Sequence, residues 1–271
     1  MAINYASKYA QKIEFARESM TSAAVNNDYD FVGVKTVNVY SVPTAEMNDY
    51  SVSGTSRYGT PQEIENTVQE MTMTRDRSFT FTIDRGTYND TQMSNAAGAA
   101  LQRQIREVVV PEIDKYRFGK ICEGAKTTVT GKVTKANAYD AFLTGATTLI
   151  ENNVPLVGSC AFVSSDFYKN IKEDSSFIRN GDMSQEILIK GQVGTIDGIP
   201  LIVVPKSYFP ENVEFIITNQ AATTSPVKLS EYKIHDNPPG INGWLVEGRV
   251  YYDAFVLENK KSAIYVFKTA E

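Results

Sequence analysis

The chain has 271 residues, of which 42% are hydrophobic and 22% are charged. These proportions are those of an ordinary globular protein, and they exclude a mainly disordered chain, a collagen-like fibre or a low-complexity sequence. The net charge of −5 lacks the basic excess of a dedicated nucleic-acid binder, and no apolar run reaches the roughly 18–20 residues that cross a bilayer, so we expect a soluble protein with no membrane contact.

Residue types that do catalysis are scarce. The only histidine is His235, and the two cysteines, Cys122 and Cys160, have no Cys-x-x-Cys spacing. We interpret the cysteines as small buried residues of a protein in a reducing compartment, and His235 as a solvated loop residue. No phosphate-binding loop, zinc-protease motif, nucleophile elbow or EF-hand occurs. The sequence therefore predicts a protein that is not an enzyme and has no cofactor and no metal site.

Residues 1 to about 28 form a polar, alanine-rich lead-in, without the basic and apolar regions of a secretory signal. Its aromatic and aliphatic residues recur at roughly helical spacing. A short amphipathic helix on an arm and a mobile terminus both fit this pattern.

Period-two alternation begins near Phe31, stops at Pro43 and returns at 71–85. We expect the two stretches to pair as a long two-stranded arm. Between them Ser41 to Glu70 is rich in small polar residues and exceeds the length of about 12–15 residues above which loops are usually functional. This segment predicts that part of the chain reaches beyond its own core.

The strongest helical pattern covers 91–123, with an apolar stripe that includes Leu101 and Ile105. Pro111 is expected to kink or divide the helix, because its ring crowds the carbonyl four residues back. About 30 helical residues span about 45 Å. Such a helix needs a flat partner sheet or neighbouring molecules to cover it.

The rest of the chain alternates between strands and helices, which indicates a mixed α/β layer from about 135 to 235 and two strands in the tail. The predicted elements are a threonine-rich turn at 127–134, a helix at 135–152, a buried strand at 161–163, a helix capped by Ser165 and ending at Lys172, a hairpin at 191–205 with Asp197-Gly198 as its turn, and strands at 213–217, 244–257 and 263–267.

Charge is distributed unevenly along the chain. Ser41 to Glu70 has five acidic residues against the single Arg57, a net −4, whereas 93–120 has five basic against three acidic residues, a net +2. A solvated polar loop is one interpretation; the other is an acidic extension that lies on a basic ridge of a neighbouring copy. The second interpretation gives as candidate contacts between subunits Glu46, Asp49, Arg57, Glu63, Glu65, Glu70, Arg103, Arg106, Lys115 and Arg117.

The order of these elements, and several local stretches, resemble the major capsid proteins of tailed bacteriophages with the Hong Kong 97-like fold. The stretches are AINYASKY at the start, TMTRDRSFTFTIDRGTYND before the long helix, ALQRQIREVVVPEIDKYRF on it, GTIDGIPLIVVP in the centre and GRVYYDAFVLENKKSAIYV near the end. The similarity covers nearly the whole chain. It is cumulative, since no single motif is specific.

The resemblance implies an α+β subunit with an N-terminal arm at 1–30, an E-loop extension at 31–90, a P domain at 91–134 and 241–271 that contains the long spine helix, and an A domain at 135–240. It implies a structural protein that assembles through hexamers and pentamers into an icosahedral shell around double-stranded DNA. The implied partners are other copies, portal protein, scaffolding or decoration proteins, and weakly held DNA. The implied location is the virion, assembled in the host cytoplasm.

The sequence also departs from that family in two respects. Some members weld the shell through a lysine of the E-loop, but no lysine lies between Lys35 and Lys115, so we expect non-covalent contacts. No scaffolding segment precedes the arm, so scaffolding, if used, is expected to be a separate protein. The alternatives are an encapsulin-type compartment of the same fold and, from another class, an α/β hydrolytic enzyme that uses His235.

Overall fold

A computed structural model of the protein describes residues 19–26, 28–29, 31, 34–41, 44–61, 63–64, 66–86, 96–174 and 192–270. Most of the predicted arm and the first residues of the predicted long helix, 91–95, lie outside these ranges. Among the described helices, none is both long enough and apolar enough to cross a membrane.

The described elements confirm a mixture of helices and sheets. The strands are β1 (Thr36–Ser41), β2 (Thr67–Thr72), β3 (Arg75–Asp84), β4 (Thr127–Gly131), β5 (Ser159–Ser164), β6 (Gln192–Ile196), β7 (Ile199–Val204), β8 (Val213–Asn219), β9 (Thr223–Thr224), β10 (Val227–Asp236), β11 (Gly243–Tyr252), β12 (Phe255–Val256) and β13 (Ile264–Thr269). The helices are α1 (Ala96–Gln104), α2 (Val110–Gly124), α3 (Ala138–Glu151) and α4 (Ser165–Glu173), with a π-helical turn at Ile105–Val109 and a 3₁₀ turn at Met20–Ala24.

The largest sheet has six strands in the order β4-β13-β8-β5-β7-β6. Its centre is covered on both faces, and all seven residues of β8 are buried. On one face Phe215 and Ile217 pack against Phe142 of α3 and Phe167 of α4. On the other face Ile216 belongs to the cluster that contains Phe118 of α2. Alternate residues of one strand thus hold helices on opposite sides of the sheet.

A second sheet has three strands in the order β10-β11-β3, all antiparallel. Its inner face packs Val246 and Val250 against Leu101, with Phe79 and Ile105 beside them. Residues 96–124, called the long helix below, therefore lie across two sheets: its first half covers the three-stranded sheet and its second half covers the six-stranded sheet. The chain itself covers only part of the helix stripe: Leu101 is buried, Ile105 is half-buried and Val108 is 46% exposed.

The break expected at Pro111 takes the form of a π-helical turn. The N–H of Val110 donates to the carbonyl of Ile105, five residues back, and α2 begins at Val110 with Pro111 in its first turn. Proline has no N–H to donate, and its ring excludes the carbonyl four residues back. Widening the helix by one residue per turn accommodates that ring, which is a common use of a π-turn.

Three local predictions were wrong. The stretch 71–85 is not one strand, because β2 ends at Thr72 and pairs with β1, whereas β3 pairs with β11 in another sheet. The threonine-rich turn contains β4, an edge strand parallel to β13. The helix α4 is capped by Ser164 rather than Ser165, since the Ser164 Oγ accepts a hydrogen bond from the N–H of Phe167 at 3.0 Å.

The six-stranded sheet contains β4 and β13, which the sequence places in the P domain, together with strands from the predicted A domain. The division into P and A domains stays a prediction. Strands assigned to both domains belong to this one sheet. The hairpin turn between β6 and β7 has Asp197 at φ 50° and Gly198 at φ 77°, as the Asp-Gly pair predicts.

Close packing of α3 on the six-stranded sheet can be tested at Gly145. A Cβ at this position would lie 2.9 Å from Cδ1 of Ile217 and 3.0 Å from the ring of Tyr265, so Gly145→Ala should lower the free energy of unfolding by about 1–3 kcal/mol. Gly119→Ala is the matched control, because a Cβ there meets nothing within 4 Å, and it should raise stability by up to about 1 kcal/mol. Urea unfolding measures both, and equal effects would contradict the packing.

Candidate functional site

Among the described residues, the longest run of exposed side chains lies in the extension, which we define as residues 36–72. The ladder of β1 and β2 forms its base. Its described residues between 44 and 64, called the tip below, have no helix or strand. Its tip is held by local bonds: the N–H of Ser51 donates to the carbonyl of Arg57 at 3.0 Å, and the Arg57 Nε donates to the carbonyl of Gly54 at 3.2 Å. The predicted contact residue Arg57 is therefore partly used within the tip.

Several large apolar side chains of the extension face solvent. The exposed fraction is 99% for Met47, 85% for Tyr58 and 84% for Val52. The rings of Tyr50 and Tyr58 meet edge to face, with centroids 5.2 Å apart. Single exposed apolar residues are normal, but a group of them on one projecting segment is typical of a surface that another molecule covers.

The acidic candidates share this surface. Glu46, Asp49, Glu63 and Glu70 are all exposed, whereas Glu65 lies outside the described residues. Glu70 accepts a hydrogen bond from the Oγ1 of Thr72 at 3.1 Å. None of the four forms an ion pair with another described residue. Their charges are available to an external partner.

The basic candidates on the long helix differ in their surroundings. Arg103 is paired with Glu107 at 2.8 Å on the helix surface. Arg106 and Lys115 are exposed and have no carboxylate within ion-pair distance among the described residues. The Lys115 Nζ lies 5.5 Å from the centre of the Tyr208 ring.

Arg117 occupies a different position, inside the body. Its side chain is 11% exposed; Nε donates to the Ser225 Oγ at 2.7 Å, and Nη1 donates to the Ser19 Oγ and the Thr21 Oγ1, each at 3.0 Å. These bonds fasten the segment before β1 to the long helix, so Arg117 has little surface left for a neighbouring subunit.

Asp114 completes this polar cluster and is buried. It accepts hydrogen bonds from the Thr21 Oγ1 at 2.6 Å and from the N–H of Met20 at 3.2 Å, and it lies 3.8 Å from the Arg117 Nη1. Burial raises the pKa of Asp114, although the bond from Thr21 and the charge of Arg117 oppose that rise. Burial likewise lowers the pKa of Arg117, and Asp114 opposes that change. The pair organises the N-terminal segment at a cost in desolvation.

A second buried carboxylate, Asp253, lies where the extension meets the body. Its Oδ2 accepts from the N–H of Thr74 at 2.7 Å and from the Thr74 Oγ1 at 3.0 Å. Its Oδ1 accepts from the Tyr116 OH at 2.7 Å and from the N–H of Ala254 at 2.8 Å. Burial, followed by the bond to Asp253, raises the pKa of Tyr116, so this hydroxyl remains a donor at neutral pH.

Apolar and polar contacts complete this attachment. Met71, Met73, Leu257 and Phe31 form a buried cluster. The Gln69 side chain donates to the carbonyl of Val256 at 2.8 Å and accepts from the N–H of Glu258 at 2.9 Å. The base of the extension is therefore fixed, whereas its tip is exposed.

His235 and the two cysteines do not line the cavity of about 780 Å³ that the described residues form. His235 lies on β10, not in the predicted loop, and its Nε2 is 3.1 Å from Glu247 on an exposed face. Cys122 and Cys160 are free, and burial raises the pKa of each thiol to about 12. In the described part of the chain, no three His, Cys, Asp or Glu residues are grouped as metal ligands.

One cavity of about 780 Å³ lies between the π-turn of the long helix, the N-terminal segment and the region around β10. Ile105, Val109 and Tyr232 are among its lining residues. None of the described buried polar atoms that lack a partner belongs to a residue of this lining.

Sequence reasoning missed the burial of Asp114 and of Asp253. Asp253 interrupts the apolar run Tyr251 to Leu257, and a single acid in such a run is a signal that it has buried partners. Asp114 and Arg117 were counted as surface charges, although their spacing of three residues permits a shared environment on one helix face.

The raised pKa of Asp114 has a testable sign. Because its pKa in the folded chain lies above the ordinary value of 3.8, the folded chain binds this proton more readily than the unfolded chain, and stability from this group falls as pH rises through that window. Asp114→Asn removes the titration. The free energy of unfolding of this variant minus that of wild type should therefore increase from pH 4 to pH 7. Asp76→Asn is the control: Asp76 is exposed and its hydrogen bond to Arg249 lowers its pKa, so its titration lies below this range and the variant should show no rise relative to wild type from pH 4 to pH 7. Parallel trends in urea unfolding would contradict the assignment.

Comparison with known proteins shows that the fold is shared with solved phage structures. No protein-family model matches the chain, and no curated protein matches its sequence. A structure from Mycobacterium phage Che8 has a TM-score of 0.69 at 16% identity, covering 91% of this chain and 89% of that one. The capsid structure of the cyanophage P-SCSP1u has a TM-score of 0.65 at 12% identity, covering 89% and 85%. The mature capsid of bacteriophage PhiM1 has a TM-score of 0.64 at 9% identity, covering 88% and 82%. The chain therefore has the fold of these phage structures over most of its length.

Proposed function

We propose that this chain is the major capsid protein of a bacteriophage head. In this proposal it assembles without covalent links, through pentamers and hexamers, into an icosahedral shell around double-stranded DNA. The observation that carries the proposal is an exposed acidic and apolar extension on a body with the fold of solved phage capsids. A projecting segment without its own core is stable in place when other copies cover it.

The proposed contact joins the extension of one copy to the long helix of its neighbour. Glu46 and Asp49 supply negative charge on the extension, and Arg106 supplies positive charge on the helix with no ion pair among the described residues. Complementary charge of this kind fixes the register of two surfaces more than it adds affinity. The exposed Met47 and Tyr58 supply the apolar area.

The same proposal assigns a role in the shell to each part of the chain. Residues 31–90, which contain the extension, form the E-loop. The long helix is the spine of a P domain at 91–134 and 241–271, and 135–240 form the A domain around the five-fold and six-fold axes. The net charge of −5 suits a lining that does not grip phosphates tightly, because each phosphate contact strengthens binding and would oppose packing and ejection. Portal, scaffolding and decoration proteins are the partners that we infer, and the virion is the inferred location.

The two alternatives have less support. An encapsulin-type compartment would have the same fold, but the solved structures reported above are phage structures. A hydrolytic enzyme would need a base, and His235 is paired with Glu247 on an exposed strand, outside the described cavity. Shells that contain a cargo enzyme in place of DNA would favour the first alternative.

The proposal predicts closed particles. Full-length protein expressed alone or with phage proteins should form shells in negative-stain electron microscopy, and raised ionic strength should lower their yield because it screens the proposed charge contacts. A strictly monomeric protein at every salt and protein concentration would contradict a capsid role.

The charge contact predicts compensating substitutions. Reversing the extension with Glu46→Lys and Asp49→Lys should lower the yield of shells about tenfold, and Arg106→Glu with Lys115→Glu should do the same. Combining both sets should restore a part of the yield. Asp140→Lys is the control, since Asp140 is an exposed acid on α3 outside the proposed contact. If both sets leave shells unchanged, the extension does not lie on this ridge.

A further inference from the structure

We propose that Asp253 is a positioning residue that fixes the direction in which the extension leaves the body, and thereby the curvature of the shell. The effect on curvature rests on the proposed capsid function. The fixing of the extension rests only on the geometry of one chain.

The direction of the extension is set by a very short connection. β2 ends at Thr72 within the extension and β3 begins at Arg75 within the three-stranded sheet, so only Met73 and Thr74 link the two sheets. Met73 is fully buried, its N–H donates to the carbonyl of Lys35 at 3.1 Å, and its carbonyl accepts from the Tyr251 OH at 2.9 Å. Thr74 is the remaining residue of the connection, and Asp253 binds it.

Asp253 has the geometry of a joint between three segments. It is 3% exposed, and its carboxylate accepts four hydrogen bonds: two from Thr74 in the connection, one from Tyr116 in the long helix and one from its own strand exit at Ala254. Each oxygen accepts two bonds, which uses the acceptor capacity of an ionised carboxyl group. The connection, the helix and the end of β11 thus share one group.

Further contacts fix the backbone of Asp253 and the ring of its partner Tyr116. The carbonyl of Asp253 accepts from the Ser225 Oγ at 2.7 Å, and that hydroxyl in turn accepts from the Arg117 Nε at 2.7 Å. The Arg75 guanidinium lies over the ring of Tyr116, 4.7 Å from its centre, and orients the phenol from the other side. Because both its backbone and its partner are fixed, the carboxylate offers Thr74 a single position.

The arrangement requires a carboxylate, not merely a polar residue. An asparagine at 253 would replace one oxygen with an NH₂ group. In one orientation this NH₂ faces the N–H of Thr74, and in the other it faces the N–H of Ala254, so two donors oppose each other in either case. A buried donor without an acceptor is destabilising, so Asp253→Asn would loosen the connection although the side-chain volume stays nearly the same.

The test compares Asp253→Asn with Asp76→Asn in the full-length chain. Both remove one carboxylate near the base of the extension, but Asp76 is 41% exposed in an ion pair with Arg249. Hydrogen exchange of the amides at 67–74 in unassembled protein should be about ten times faster in Asp253→Asn than in wild type, and unchanged within about twofold in Asp76→Asn. Equal exchange in the two variants would overturn the joint.

Electron microscopy of assembled particles tests the consequence for curvature. Asp253→Asn shells should have a broader or shifted distribution of diameters, whereas Asp76→Asn shells should match wild type. Accelerated exchange with unchanged diameters would overturn the link to curvature. If wild type forms no shells, the proposed function fails and the exchange experiment still decides the joint. Should Asp253→Asn not fold, Tyr116→Phe removes only one of the four donors and should accelerate exchange in the same direction.

Discussion

An extended segment without a core of its own must be fastened to a body by a few specific bonds, and buried carboxylates provide those bonds here. Asp114 holds the segment at Met20–Ala24 against the long helix, and Asp253 holds the connection between β2 and β3 against the same helix. Where the chain leaves a strand or a helix, its backbone N–H groups have no partner in a ladder. A carboxylate suits this task because it accepts several such N–H groups and O–H groups at once. The long helix is therefore the common support for both extended parts.

Such fastening lowers the entropy loss that the proposed assembly would require. A partner that binds a fully mobile segment must order it, and each immobilised side chain costs about 0.5–1.5 kcal/mol. In this protein the base of the extension is already ordered by its buried methionines and by Gln69, so only the tip around Tyr50 and Tyr58 remains to be fixed. Burying the charges of Asp114 and Arg117 is unfavourable, and the hydrogen bonds that each makes offset part of that penalty.

The sequence predicted the features that depend on local periodicity. The long helix, the break at Pro111, the buried strand around Phe162 and the Asp197-Gly198 turn all follow from rules within a few residues. What depended on distant partners was missed. Alternation continues from Met71 through Ile83 although the chain changes sheets at Thr74, and nothing local distinguishes the two cases. The sequence predicts a turn where β4 forms, because threonine is compatible with both a turn and a strand. The partner strand β13 lies more than a hundred residues away along the chain. The sequence alone predicts Arg117 on the surface, because the hydroxyl groups that accept its hydrogen bonds lie about a hundred residues away along the chain. They belong to Ser19, Thr21 and Ser225.

The connection at Met73–Thr74 limits how the extension can move. In the proposed shell, one subunit must fit sites of different curvature, so some part of each copy has to adjust. With Met73 buried and Thr74 bonded twice to Asp253, a rotation of the extension on its base would break bonds to both residues together. The described residues between 44 and 64 have no strand or helix ladder, so bending there breaks fewer bonds. In the proposed shell, adjustment between neighbouring sites therefore breaks the fewest bonds in the tip, and a larger reorientation of the whole extension has to begin at Asp253.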